Sequence, residues 1–305
     1  MFQLSDLLSP FAVERLLQSL PAAEEWLSSA PARLVSAAHR FGIHPVAPLW
    51  GGNRSVACWG LDAVGSAHVV KVAAYPGSTR REVAGLVAFA DSGRVPIVVA
   101  CDAQYEILVS EMFEQSVPLS QVPEFRFEAP AVAELLAALH RCPPGALPRE
   151  TPVAYRLAHA WKASSSWRSA PRLELAAAAE AVEFLPPVVA QALHGDLVPA
   201  NILRASNGVL VAIDPQACAG DPASSAAAWG LLRGNGDEQG WRAGGGAIRR
   251  ALHVGSLLGC EPDRVLVHLS FQAFELACRQ SSWVQWDWVS ESLDLARAAR
   301  DAVSV

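Results

Sequence analysis

Long apolar runs are missing from this chain. No uninterrupted stretch of 18 apolar residues occurs, so no membrane span is expected. The opening Met1-Phe2-Gln3-Leu4-Ser5-Asp6 has neither the basic segment nor the apolar stretch of a secretory signal, and the expected location is the cytoplasm. No CxxC pair is present. The six cysteines, Cys58, Cys101, Cys142, Cys218, Cys260 and Cys278, are dispersed. That argues against a disulfide framework or a zinc site and for buried reduced thiols. Positive charge is in deficit, with a formal net charge of -6. The deficit speaks against nucleic acid as a partner and is compatible with a cationic substrate, although many soluble proteins carry a similar charge. There is no complete G-x-G-x-x-G, no Walker A loop and no internal repeat.

What is present is a globular composition: 305 residues, 51% hydrophobic and 18% charged. This length suits one large domain or two modest ones. The first forty residues read as helices. Trp26, Leu27, Leu34, Val35, Ala38 and Phe41 recur at helical spacing, and Pro31 is expected to mark a break or a new first turn. Ser55–Gly60 and His68–Ala73 are strand-like and separated by the turn-prone Asp62-Ala63-Val64-Gly65-Ser66, which predicts a hairpin. Thr79–Ala90 fits a helix with Val83, Leu86, Val87 and Ala90 on one face. Strand-like runs follow at Val95–Ala100 and Ile107–Met112. Beyond Met112 the chain turns to Ala- and Leu-rich helices, beginning near Glu128–His140, and a mobile loop is expected at Gly234–Gly246. The predicted class is α+β. Residues 1–112 form N-terminal helices and a β-rich lobe, 113–118 a linker, and 119–305 a larger helical lobe, with a cleft between the lobes.

Four features carry chemistry. In His194-Gly195-Asp196-Leu197-Val198-Pro199-Ala200-Asn201, an acid is followed five positions later by Asn, the spacing of a kinase catalytic loop. Asp196 can orient a hydroxyl and take its proton. Asn201 can offer a neutral oxygen to Mg2+. In Val209-Leu210-Val211-Ala212-Ile213-Asp214, an apolar strand ends in a carboxylate 18 positions after Asp196. Asp214 is thus the candidate for the main Mg2+ ligand. Lys71 lies among Val69, Val70 and Val72, where burial needs an anion; nucleotide phosphates and Glu82 on the next helix supply two. Trp50-Gly51-Gly52-Asn53-Arg54-Ser55 sits where a phosphate-covering loop belongs. Each feature alone has a plainer alternative: a surface Asp with a turn Asn, a strand-ending Asp before Pro215, a solvated edge-strand lysine, an ordinary Gly-Gly hairpin. Their combination favours the kinase reading.

Together these residues resemble the aminoglycoside phosphotransferase family, from about Trp26 to the C-terminal helices. The chain is similar to the streptomycin 6-kinase and hydroxyurea phosphotransferase branch at Trp26-Leu27 to Phe41-Gly42, Pro48-Leu49-Trp50-Gly51-Gly52, and Ala212-Ile213-Asp214-Pro215 with Gly220-Asp221-Pro222. The resemblance implies a two-lobed, protein-kinase-like fold using ATP and Mg2+. It implies Asp196 as catalytic base, Asn201 and Asp214 as Mg2+ ligands, Lys71 on the phosphates with Glu82 holding it, and Gly51 and Gly52 over the phosphates. The Glu111 carbonyl and Phe113 amide would meet adenine, and Asp221 would anchor the catalytic loop. The family's usual Asp three residues after Gly-Asp-Pro is Ser225 here, preceded by Ser224. Either serine is an expected helix cap.

Three functions fit: an antibiotic kinase, with an aminoglycoside such as streptomycin as acceptor in resistance or self-protection; a kinase of the same fold acting on a metabolite; and a nucleotide-binding pseudokinase. The presence of Lys71, Asp196, Asn201 and Asp214 disfavours the last. Glu238, Glu275, Asp287, Glu291 and Asp294, with Trp283, Trp286 and Trp288, are candidate contacts for a small cationic or hydroxylated acceptor. Solvated helix faces and ordinary packing are the alternatives. The expected state is a monomer or weak dimer.

Overall fold

The computed structural model describes residues 2–50, 54–113, 116–122, 129–163, 169–232, 245–281 and 286–303. Gly51, Gly52, Trp283 and most of the loop expected at Gly234–Gly246, with Glu238, lie outside them; Gly245 and Gly246 instead lie in the first turn of a helix. The chain forms two compact units, Met1–Val117 with Leu203–Ala217, and Pro118–Ile202 with Cys218–Val305. Leu203–Ala217 lies beyond the 113–118 linker in sequence yet clusters with the first unit.

The first unit opens with α1 (Leu4–Leu7), α2 (Pro10–Ser19) and α3 (Ala23–Arg40). Pro31 does not break α3. Trp26, Leu27, Ala30, Leu34, Ala37 and Ala38 form one buried stripe across it, and that burial outweighs the roughly 3 kcal/mol penalty of an interior proline. The sheet that follows is antiparallel. It contains β1 (His44–Leu49), β2 (Ser55–Leu61), β3 (Ala67–Ala73), β4 (Val98–Asp102) and β5 (Ile107–Glu111), in the order β1-β2-β3-β5-β4. Pro45 and Pro48 fit β1 because an edge strand can spare ladder donors. The hairpin expected between Ser55 and Ala73 is β2–β3, with Ser55 opposite Ala73.

Alternation along the strands sets the two faces of the sheet. Val56 and Cys58 of β2, Val70 and Val72 of β3, and Ile107 and Val109 of β5 join the N-terminal helices in one core. Lys71, between Val70 and Val72, faces the other side, toward α4 (Ser78–Phe89). The buried face of α4 is Thr79, Glu82, Gly85, Leu86 and Phe89. It differs from the expected face: Val87 and Ala90 are exposed. Apolar periodicity missed that face because a carboxylate and a glycine belong to it.

The second unit begins beyond the short β6 (Val117–Pro118) with α5 (Ala129–His140), α6 (Val153–Ala163) and α7 (Ser169–Glu183). Next in the chain are β7 (Gln191–Leu193), then β8 (Ile202–Arg204) and β9 (Leu210–Ala212), where the chain returns to the first unit, and β10 (Cys218–Gly220). The helices α8 (Pro222–Leu231), α9 (Gly245–Leu257), α10 (Pro262–Ser281) and α11 (Trp286–Asp301) complete it. α10 is the central helix, packed on α6, α7, α8, α9 and α11, with Phe271 and Phe274 fully buried. All six cysteines are free thiols. Burial pushes Cys58 up to about 12 and Cys218 and Cys260 up to about 11, so these three stay protonated and unreactive. Cys101 departs from the expectation of burial: it is exposed on β4.

Candidate active site

In the first unit, three sequence-distant residues form one charge cluster. β3 presents Lys71, whose Nζ donates to Glu82 Oε2 at 2.8 Å and to Asp214 Oδ1 at 2.6 Å. α4 supplies Glu82. The hairpin β8–β9 supplies Asp214: its turn is closed by Asn207 Oδ1 accepting from the Val209 amide, and the Ala212 amide donates to the Arg94 carbonyl. Asp214 then adopts φ +58°, a left-handed conformation uncommon for a residue with a side chain and typical of functional turns. Pro215 and Ala217 seat against Gly85 of α4, where an added Cβ would lie 2.8 and 2.9 Å from them. A glycine in mid-helix thus allows the Asp214 segment to approach the helix that carries Glu82, a role with no sequence motif to announce it.

The electrostatics follow from one ammonium shared between two carboxylates. Burial works against the Lys71 charge, but Asp214 and Glu82 outweigh it and hold the ammonium well above its usual range. Burial pushes the Glu82 carboxyl up to about 7; Lys71 opposes that rise and Asp214 adds to it. The side chain of Asp214 is 40% exposed against 13% for Lys71, so Asp214 is the group open to further ligands.

In the second unit, β7 pairs antiparallel with β10 and leads into the loop 194–201. His194 is buried, Gly195 turns at φ +79°, and Asp196 is exposed. Asn201 Nδ2 donates to the Asp196 carbonyl at 2.9 Å and to its Oδ2 at 3.3 Å. The Val198 amide also donates to the Asp196 carbonyl, and a 3-10 turn at Pro199–Asn201 closes the loop. Asn201 thereby braces Asp196. With its nitrogen so engaged, its amide oxygen is the atom suited to a hard cation.

Glu111 ends β5 opposite His68, and its amide donates to the Ile97 carbonyl. The Phe113 carbonyl accepts from the Ser116 amide and Oγ.

Two expectations about the second unit change. Neither Ser224 nor Ser225 caps α8; Asp221 does, accepting from the Ala223 amide. Asp221 also accepts from Arg264 Nε at 2.5 Å and His268 Nε2 at 2.9 Å, tying α8 to α10. Burial alone would raise its carboxyl, but these bonds hold it below the usual range. Ser224 is buried, donating to Glu150 and accepting from Gln272. Glu275, an acceptor candidate, is buried and held at both oxygens by Arg156, which also bonds Glu150. A buried carboxylate is costly unless paired, and this pairing commits Glu275 to the interior. Asp294 is exposed beside Arg297.

The sequence matches the family described as aminoglycoside/hydroxyurea antibiotic resistance kinase over residues 45–284. The chain belongs to that family. A comparison with curated proteins gave no match. Among solved structures, the kinase fold is shown by an aminoglycoside phosphotransferase APH(4)-Ia variant in ternary complex with ADP and hygromycin B, at TM-score 0.64 and 18% identity, covering 89% of this chain and 99% of that one. A putative fructosamine-3-kinase from Thermobifida fusca has TM-score 0.63 and 19% identity, covering 90% and 99%. Choline kinase LicA from Streptococcus pneumoniae has TM-score 0.60 and 14% identity, covering 88% and 96%. Membership makes this chain a small-molecule phosphotransferase of α+β, two-lobed, protein-kinase-like fold. No helix among the described residues is long and apolar enough to cross a membrane.

Proposed function

We propose that this kinase transfers the γ-phosphate of ATP to a hydroxyl of a cationic aminoglycoside, streptomycin foremost, in the cytoplasm, as resistance or self-protection. The observation that carries the reading is the Lys71–Glu82–Asp214 cluster. Lys71 held by Glu82 is poised to meet phosphate oxygens, and Asp214 offers an exposed carboxylate in a fixed, left-handed turn. Asp214 and the Asn201 amide oxygen are hard oxygen donors, the kind Mg2+ prefers; such ions keep waters and substrate phosphates as their remaining ligands. Mg2+ bound there would neutralise charge developing on the phosphates. Asp196, braced by Asn201, orients the acceptor hydroxyl and takes its proton late, as the loose transition state of phosphoryl transfer requires. The Glu111 carbonyl and Phe113 amide hold adenine in this reading, and Gly51 and Gly52 cover the phosphates.

The likeness to a choline kinase and a fructosamine-3-kinase supports a second reading, phosphorylation of a metabolite by the same machinery. The deciding experiment measures ATP consumption with streptomycin, other aminoglycosides, hydroxyurea and simple amino alcohols, and identifies the product by mass spectrometry. Turnover on streptomycin supports the first reading. Turnover confined to amino alcohols replaces it with the second. Nucleotide binding without turnover on any acceptor sinks both.

A further inference from the structure

We propose that a cavity within the first unit, separate from the Lys71 cluster, is a binding site for a small organic anion: a carboxylate or phosphate head on an apolar body.

The cavity measures about 950 Å3, within the range of small-molecule sites. One wall is a single face of α3. Arg33, Ser36, Ala37 and Arg40 follow at i, i+3, i+4 and i+7, with Trp26 seven residues before Arg33. The facing wall is the β4–β5 turn, with Gln104, Tyr105 and Glu106. Buried Val72, Ala74 and Ile107 give an apolar floor. Val72 points away from the face of β3 that carries Lys71, so the site is distinct from the proposed phosphate site.

The lining charges decide what it binds. Glu106 is engaged: its two carboxylate oxygens accept from the Gly77 and Thr79 amides at the start of α4. Arg40 is engaged as well, paired with Asp102 at 2.5 Å and lying 4.8 Å from the Tyr105 ring centre. Arg33 is exposed, and among the described residues no carboxylate pairs with it. An uncommitted guanidinium beside an apolar floor, with Ser36 and Gln104 at hand, matches a carboxylate or phosphate bidentately and disfavours cations. The β4–β5 turn is held in one shape, because Glu106 adopts φ +55° and Asp102 Oδ1 accepts from the Gln104 and Tyr105 amides.

Calorimetry and ligand-detected NMR with phenylacetate, indole-3-acetate and phenyl phosphate, against neutral phenylacetamide, test the proposal. Expected is saturable binding of at least one anion, weakened about tenfold or more by Arg33→Glu and by Ala32→Phe, and unchanged by saturating ADP. Both variants change exposed positions of α3, and an unaltered melting temperature shows that they are folded. The preference among probes distinguishes a carboxylate from a phosphate head. The proposal is overturned if no anion binds at millimolar concentration, if phenylacetamide binds as well as phenylacetate, if either folded variant binds like wild type, or if ADP displaces the probe.

Discussion

Lys71 is the residue whose meaning changed most between sequence and structure. A lysine whose partner is mainly the nucleotide should be removable at little cost to stability. Here its one charge is shared between two carboxylates, one of them buried. Lys71→Ala should therefore lose nucleotide use and also stability, by about 3 kcal/mol where Glu82 is ionised. The sign of the pH dependence follows from Glu82, whose folded carboxyl lies above its ordinary value and rises further without Lys71. Its contribution is present at low pH and lost as pH rises through the folded value. The variant should approach wild-type stability near pH 5 and fall away from it above about pH 7 in denaturant titrations. Asp196 predicts a different signature. Asp196→Asn should lower kcat by about 10² to 10⁴ while nucleotide affinity by calorimetry stays near wild type. A variant that retains wild-type turnover would remove Asp196 as base. His140 gives a third test. Burial depresses it from 6.5 to about 4, and its Nε2 has no hydrogen-bond partner among the described residues. A depressed folded value means stability present above pH 6.5 and lost as pH falls toward 4. The shift corresponds to roughly 3 kcal/mol. His140→Leu should flatten that acid limb.

At the scale of elements, the site depends on α4 and the segment after β9 meeting without a side chain between them. Gly85→Val would place methyl groups where Pro215 and Ala217 already sit, at 2.8 to 2.9 Å from even a Cβ. Overpacking of this kind costs about 1–3 kcal/mol, and it should displace Asp214 from Lys71. The expected readout is a lower melting temperature with a kcat loss larger than that of an equally destabilising substitution far from the site. A kcat loss no larger than that control would leave Gly85 a packing residue alone. α3 teaches the complementary point. Proline signalled a break, yet a stripe of buried residues on both sides of Pro31 kept the helix whole.

At the scale of the molecule, the net charge of -6 is compatible with the cationic acceptor proposed above. If long-range attraction gathers that acceptor, KM for streptomycin should rise several-fold from low salt to about 0.5 M, while KM for neutral hydroxyurea changes little. Equal salt dependence for both would remove charge from the account of specificity. Glu275 cannot contribute to that attraction as a free group, because Arg156 neutralises it.

Much of this was legible before any coordinates. Strand-like runs bounded by turn-prone residues marked β2, β3 and β5, since β-branched and apolar side chains fit a pleated, largely buried surface. The spacing of Asp196 and Asn201, five residues long and so local, announced the loop, although not that Asn201 braces Asp196. The identities of Lys71, Glu82 and Asp214 were legible too, because ionisable groups at strand ends and inside apolar strands are costly unless a partner or ligand meets them. Packing alone decided that Lys71 bonds Asp214 from 143 positions away, that Gly85 is where their elements meet, that Asp221 rather than a serine caps α8, and that Glu275 is spent on Arg156. The physical reason is common to all four. Periodicity records which residues leave water, but the partner a buried polar group finds depends on which elements fold against it, and chain-distant partners leave no trace in local spacing.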